Sequence, residues 1–118
     1  MKPARAADYV DHMLQAARLA RGYTEDMSRE DFLSDSRTQH AVIFNLQIVG
    51  EAATKLSNEH GDFIAQHPQI AWKAMRGMRN RLARGYFDIN LDVVWETVQK
   101  ALPELVEQLS AIGDRPSA

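Results

Sequence analysis

A chain of 118 residues with 45% hydrophobic and 25% charged side chains and a net charge of −2 has an ordinary globular composition and room for one core. The absence of cysteine excludes disulfide frameworks, thiolate metal sites and thiol nucleophiles. The longest apolar run, Ala41-Val42-Ile43-Phe44, falls far short of the ~20 residues of a membrane span. The opening Met1-Lys2-Pro3-Ala4-Arg5 has no apolar stretch of signal-peptide type, so a cytoplasmic protein without membrane contact is expected.

Helical periodicity runs along most of the chain, and no strand pattern competes with it. Ala6, Val10, Met13, Ala17 and Ala20 step by four and three, predicting a first helix that Gly22 and Thr24 end. Ser28-Arg29-Glu30-Asp31 has the form of a capping box opening a short turn through Leu33. A long helix is predicted over residues 36–57, striped by Val42, Leu46, Val49, Ala53 and Leu56. Ile43, Phe44, Ile48 and Ala52 fill its other faces, as expected of a helix that is central or shared with a partner subunit. Residues 58–68 read as a connection with one helical turn around Phe63-Ile64.

A further helix is predicted from near Gln69 to near Gly85, with Ala71, Met75, Met78 and Leu82 inward. Asn90 is a suitable N-cap for the last helix, where Leu91, Trp95, Val98, Leu102, Leu105, Leu109 and Ile112 alternate four and three. Pro103 is placed to bend it. The expected architecture is all-α: an antiparallel bundle of four main helices with short helical segments, over residues 1–112, with a flexible tail at 113–118.

The charge is unevenly distributed. Residues 63–87 contain no acidic side chain but carry Lys73, Arg76, Arg79, Arg81 and Arg84, a window of +5 against −7 for the remainder. An anionic ligand would be drawn there, although a solvated helix face is the competing reading of any basic cluster. At 3.6 residues per turn, Lys73, Arg76, Asn80 and Arg84 fall on one stripe, with Arg79 and Tyr86 on its neighbour. Guanidinium groups suit phosphoryl oxygens, which they bind through paired hydrogen bonds, and an aromatic ring can stack a base.

The run Arg79-Asn80-Arg81-Leu82-Ala83-Arg84-Gly85-Tyr86 resembles the Arg-x4-His-x-Tyr motif of HepT-type proteins in the HEPN superfamily, where Asn commonly follows the Arg. Ile48-Val49-Gly50-Glu51-Ala52-Ala53, Trp72, Gly77-Met78-Arg79-Asn80, Val94-Trp95-Glu96-Thr97-Val98 and Leu102-Pro103 extend the resemblance over roughly residues 5–110. It implies the toxin of a toxin–antitoxin pair: a metal-independent endoribonuclease, homodimeric, using no cofactor. Its implied partners are RNA and a minimal nucleotidyltransferase antitoxin that transfers AMP to the motif tyrosine, here Tyr86. Carried onto this chain, Arg79 would stabilise the charged transition state, Asn80 would position groups, and Lys73, Arg76, Arg79 and Arg81 would hold RNA.

The chain departs from the motif at one position. Arg84 stands where the family has His, while Gly85 and Tyr86 continue in register. A histidine exchanges protons near neutral pH, whereas arginine stays charged and cannot act as a base. Loss of proton transfer typically lowers a rate by ~10²–10⁴, so the expectation is RNA binding with poor cleavage. The competing class is a non-catalytic HEPN module that binds RNA, a nucleotide or the nucleotidyltransferase. Arg84 also has a structural reading, a cation favoured near a helix C-terminus, and Tyr86 has one as a ring capping the bundle end.

Glu51 lies among Val49, Ala52 and Ala53 and needs a partner. It is a candidate to orient Arg79, and a structural ion pair is an equal reading. His12, His40, His60 and His67 show no metal-ligand spacing, so no metal site is expected. Trp72 and Trp95 read as core or interface anchors.

Overall fold

The computed structural model describes residues 5–84 and 89–113, and the described residues form helices and connecting turns without a strand. Helix α1 is Ala6–Tyr23, α2 Arg29–Leu33, α3 Ser36–Glu59, α4 Gly61–Gln66 and α5 Trp72–Leu82. The last helical stretch divides into α6, Leu91–Glu96, a π-helical turn, Thr97–Ala101, and α7, Leu102–Gly113. None of these helices is long and apolar enough to cross a membrane.

The periodic positions become the core. Met13, Ala17 and Ala20 of α1 are buried together with Val42, Leu46, Val49, Ala53 and Leu56 of α3. Val98, Leu102, Leu105 and Leu109 close the cluster from the last helical stretch, and Phe32 enters it from α2. α3 is the central element, packed against α1 and α5, while α7 lies on α1. α3 is not buried all round, however: Phe44 remains 61% exposed.

Local chemistry sets the helix starts. Ser28 and Asp31 form the expected capping box of α2. Asp35 caps α3, its carboxylate accepting from the Thr38 amide at 3.1 Å and the Thr38 hydroxyl at 2.8 Å. The Asn90 side chain accepts from the amides of Asp92 and Val93, which starts α6. Cross-links then tie the helices together. The Tyr9 hydroxyl donates to Glu59 at 3.0 Å, Gln99 Nε2 donates to Thr24 Oγ1 at 3.1 Å, and Arg29 pairs with Asp92.

Several expectations need correction. α5 begins at Trp72 rather than Gln69: residues 68–70 form a turn, and the Trp72 indole donates to the His67 carbonyl at 2.9 Å. Ala71 is consequently an exposed N-cap, and Met78 is only partly buried. The helix stops at Leu82, short of Gly85, and Ala83 and Arg84 continue as a turn. The regular stripe from Leu91 to Ile112 is broken by the π turn, in which Leu102 N bonds the Thr97 carbonyl five residues back. In a regular α-helix the Pro103 ring would clash with the Gln99 carbonyl, and the wider turn just before it relieves that conflict. Val94 is therefore buried, whereas Leu91 and Trp95 are only partly so. Gly113, expected in the tail, closes α7, and residues 114–118 lie outside the described residues.

The Asp35 cap makes a pH-dependent prediction. Bonds from the Thr38 amide and hydroxyl hold its carboxyl below the ordinary value of 3.8. A lowered folded-state pKa means that the stabilisation is present above the unfolded value and disappears as pH falls through the folded one. Asp35→Ala should lower the melting temperature at about pH 7, and the gap to the parent should narrow as pH falls below the ordinary value of 3.8.

Candidate anion-binding site on helix α5

The site begins with a close approach between two helices. A Cβ added to Gly50 of α3 would lie 2.3 Å from Arg79 Cβ and 3.0 Å from the Met75 carbonyl oxygen. Separations under 3.0 Å force a shift, so this face of α3 must be bare for α5 to lie where it does. The approach sets the start of the Arg79 side chain directly over α3, beside the next residue, Glu51.

There the guanidinium is held at two points. Arg79 Nε donates to Glu51 Oε2 at 2.9 Å, and Nη1 donates to Asn80 Oδ1 at 3.1 Å. Nη2 and the remaining hydrogen of Nη1 have no other partner among the described residues, so the Nη1/Nη2 end is open. That end can give two parallel hydrogen bonds to a phosphoryl group. The Arg79 and Glu51 side chains are 36% and 49% exposed, and exposed ion pairs contribute at most about 1 kcal/mol to stability. Orientation of the guanidinium, rather than stability, is what this pair supplies.

The other basic residues are arranged differently. Lys73, Arg76, Arg81 and Arg84 have no ion pair among the described residues. Lys73, Arg76 and Arg81 line one open concavity of about 800 Å³. Arg84 is exposed in the turn after α5, with its amide on the Arg81 carbonyl at 3.2 Å. It therefore does not prolong the helical stripe of Lys73, Arg76 and Asn80. No hydrogen bond joins its side chain to Arg79, Asn80 or Glu51. Tyr86 lies outside the described residues.

The sequence offers Glu51 either as a structural ion pair or as a group that orients Arg79, and the structure shows the ion pair that both readings require. The residue missed was Gly50. Its signal was a glycine inside a helix, where the residue weakens the helix unless packing requires it. Among the described residues no three His, Asp or Glu side chains converge as metal ligands would. His67 is engaged structurally, its ring 4.6 Å from that of Phe63 and its carbonyl on Trp72.

Gly50→Ala should destabilise the fold by about 1–3 kcal/mol, the range for an overpacked helix interface. Gly22→Ala, where a Cβ meets nothing within 4 Å, should be neutral or stabilising by up to about 1 kcal/mol. Urea denaturation of both variants checks the contrast.

Comparison with known proteins identifies the family of the chain. The profile of the family described as Ribonuclease HepT-like matches residues 13–112. A protein of Thermococcus cleftensis named probable ribonuclease HepT is 40% identical over 98 residues, covering 83% of this chain and 86% of its own. A protein of Caldanaerobacter subterraneus subsp. tengcongensis, named as an RNase, is 36% identical over 104 residues, or 88% and 90% of the two chains. Another RNase-named protein, from Methanocaldococcus jannaschii, is 38% identical over 90 residues, covering 76% and 72%. No solved structure matches the chain. With a profile match over most of its length and relatives well above 30% identity, this chain belongs to the HepT-like ribonuclease family, the HepT type of HEPN toxin.

Proposed function

We propose that the chain is the toxin component of a HEPN-type toxin–antitoxin pair, an RNA-binding protein built for metal-independent endonucleolytic cleavage and disabled in that step by Arg84. The observation that carries the reading is the Arg79 guanidinium. It is held through Nε and Nη1 by Glu51 and Asn80, with its phosphate-binding end open on an acid-free basic helix.

The reaction needs two proton movements. The ribose 2′-hydroxyl loses its proton as its oxygen attacks phosphorus, and the 5′-oxygen gains one as its bond to phosphorus breaks. Arg79 stabilises the added charge on the phosphoryl oxygens between these events. A histidine at position 84 would exchange protons near neutral pH, and the arginine there adds positive charge without that capacity. Binding is retained and chemistry is slowed. As in the family reading, the protein acts as a homodimer. A nucleotidyltransferase antitoxin neutralises it by transferring AMP from ATP to the Tyr86 oxygen, with pyrophosphate leaving, so that a negative phosphodiester and an adenosine exclude RNA by charge and volume.

Arg84 also favours a second reading, in which the chain is a HEPN binding module with no chemistry at all. The two are separated by Arg84→His. Assayed on a panel of single-stranded RNAs with EDTA present, the variant should cleave about 10²–10⁴ times faster than the parent, and adding Arg79→Ala should abolish the gain. Equal binding by both proteins with cleavage by neither would establish the binding module. Cleavage by the parent at the variant's rate would remove Arg84 as the disabling residue.

A further inference from the structure

The two glycines flanking the site behave differently. Gly50 is required by the fold, whereas Gly77, in the middle of α5, is not. A Cβ at Gly77 meets nothing closer than the Arg81 guanidinium at 4.0 Å. Glycine is among the poorest helix formers in an interior position, and no packing among the described residues calls for it here. A glycine there leaves the helix backbone accessible to a ligand that comes close.

Its surroundings indicate what that partner is. Gly77 lies in the concavity lined by Lys73, Arg76 and Arg81 together with Ile64, Ile70 and Trp72, and no acidic side chain among the described residues lines it. All three cations lack an ion pair among the described residues. Unpaired guanidinium and ammonium groups around a bare stretch of helix fit a polyanion.

The concavity is separate from the Arg79 seat. At 100° per residue, Gly77 lies about 160° around α5 from Arg79. Arg76, Asn80 and Lys73 occupy the arc between them, and Arg81 follows beyond Gly77. The cations thus form a band across the outer side of α5 rather than a single patch.

We infer that Gly77 is the floor of a second phosphate-binding cleft, over which the RNA backbone crosses α5 between the Arg81 side and the phosphate held by Arg79. The inference rests on the RNA-binding reading above and extends it with a path for the strand. Lys73, Arg76 and Arg81 hold flanking phosphates, and the missing side chain at position 77 lets the sugar–phosphate chain lie against the helix. Contacts to the backbone position the strand and do not themselves read base sequence.

The test is fluorescence anisotropy with a labelled 2′-O-methyl single-stranded RNA of mixed sequence, measured over a salt series. The parent, Gly77→Leu, Gly77→Ala, the triple Lys73→Ala/Arg76→Ala/Arg81→Ala variant and Arg79→Ala are compared. Gly77→Leu should melt no lower than the parent and bind RNA at least about tenfold more weakly, with Gly77→Ala between them. If the larger residue unfolds the protein, Gly77→Ala with the triple variant decides the matter. The triple variant should lower the salt slope by about 0.7 for each phosphate that the protein no longer neutralises.

A parent-like affinity and slope for folded Gly77 and triple variants would overturn the cleft. If Arg79→Ala still weakened binding in that case, the RNA reading would stand and only the path would fall. Failure of the parent to bind any RNA would overturn both. A changed molecular mass in Gly77→Leu with RNA affinity intact would assign this face to a protein interface and overturn the cleft.

Discussion

The arrangement of the site depends on how closely α5 can lie against α3. Gly50 removes the side chain that would collide with Arg79 Cβ and the Met75 carbonyl, and the next residue on α3 supplies the carboxylate that takes Arg79 Nε. Adjacent residues of one helix thus perform two tasks: one admits the facing backbone, and the other orients the side chain that arrives with it. Because the Glu51–Arg79 pair is half exposed, it contributes little to folding. What it changes is the direction in which the guanidinium presents its remaining hydrogens. Asn80, one residue along on α5, holds Nη1 and limits rotation about the pair.

This arrangement divides the basic residues of one short helix by use. Arg79 is restrained, its charge partly offset by Glu51, and suited to a single phosphoryl group. Lys73, Arg76 and Arg81 are unpaired among the described residues and line an open concavity, suited to flanking charge of less defined geometry. Cations, a carboxamide and the Glu51 carboxylate make up the site, and its guanidinium groups suit binding and polarising a phosphodiester. Position 84, in the turn after α5, carries an arginine where the motif that the chain resembles has a histidine.

Much of the fold could be read from the sequence because burial in helices repeats with their period. Val42, Leu46, Val49, Ala53 and Leu56 were legible as one stripe, and Ser28, Asp31 and Asn90 as caps, since each signal lies within a few residues. Features set by distant or competing interactions were not legible. The start of α5 is tied to the Trp72–His67 bond, and the π turn reflects how the chain accommodates Pro103. The basic window and the motif arginine were evident from residue types alone. The role of Gly50 was not, because it depends on which residue of α5, about thirty positions later, faces it.

The central claim is that Glu51 acts on RNA binding through Arg79, and a double-mutant cycle measures that directly. RNA affinity is determined for the parent, Glu51→Gln, Arg79→Lys and the double variant, with melting temperatures confirming that each is folded. Glu51→Gln should weaken binding in the parent but have little further effect once Arg79 is replaced, giving a coupling of at least about 0.5 kcal/mol. Additive effects would contradict the claim, because Glu51 would then act on RNA, or on the fold, independently of the guanidinium it holds.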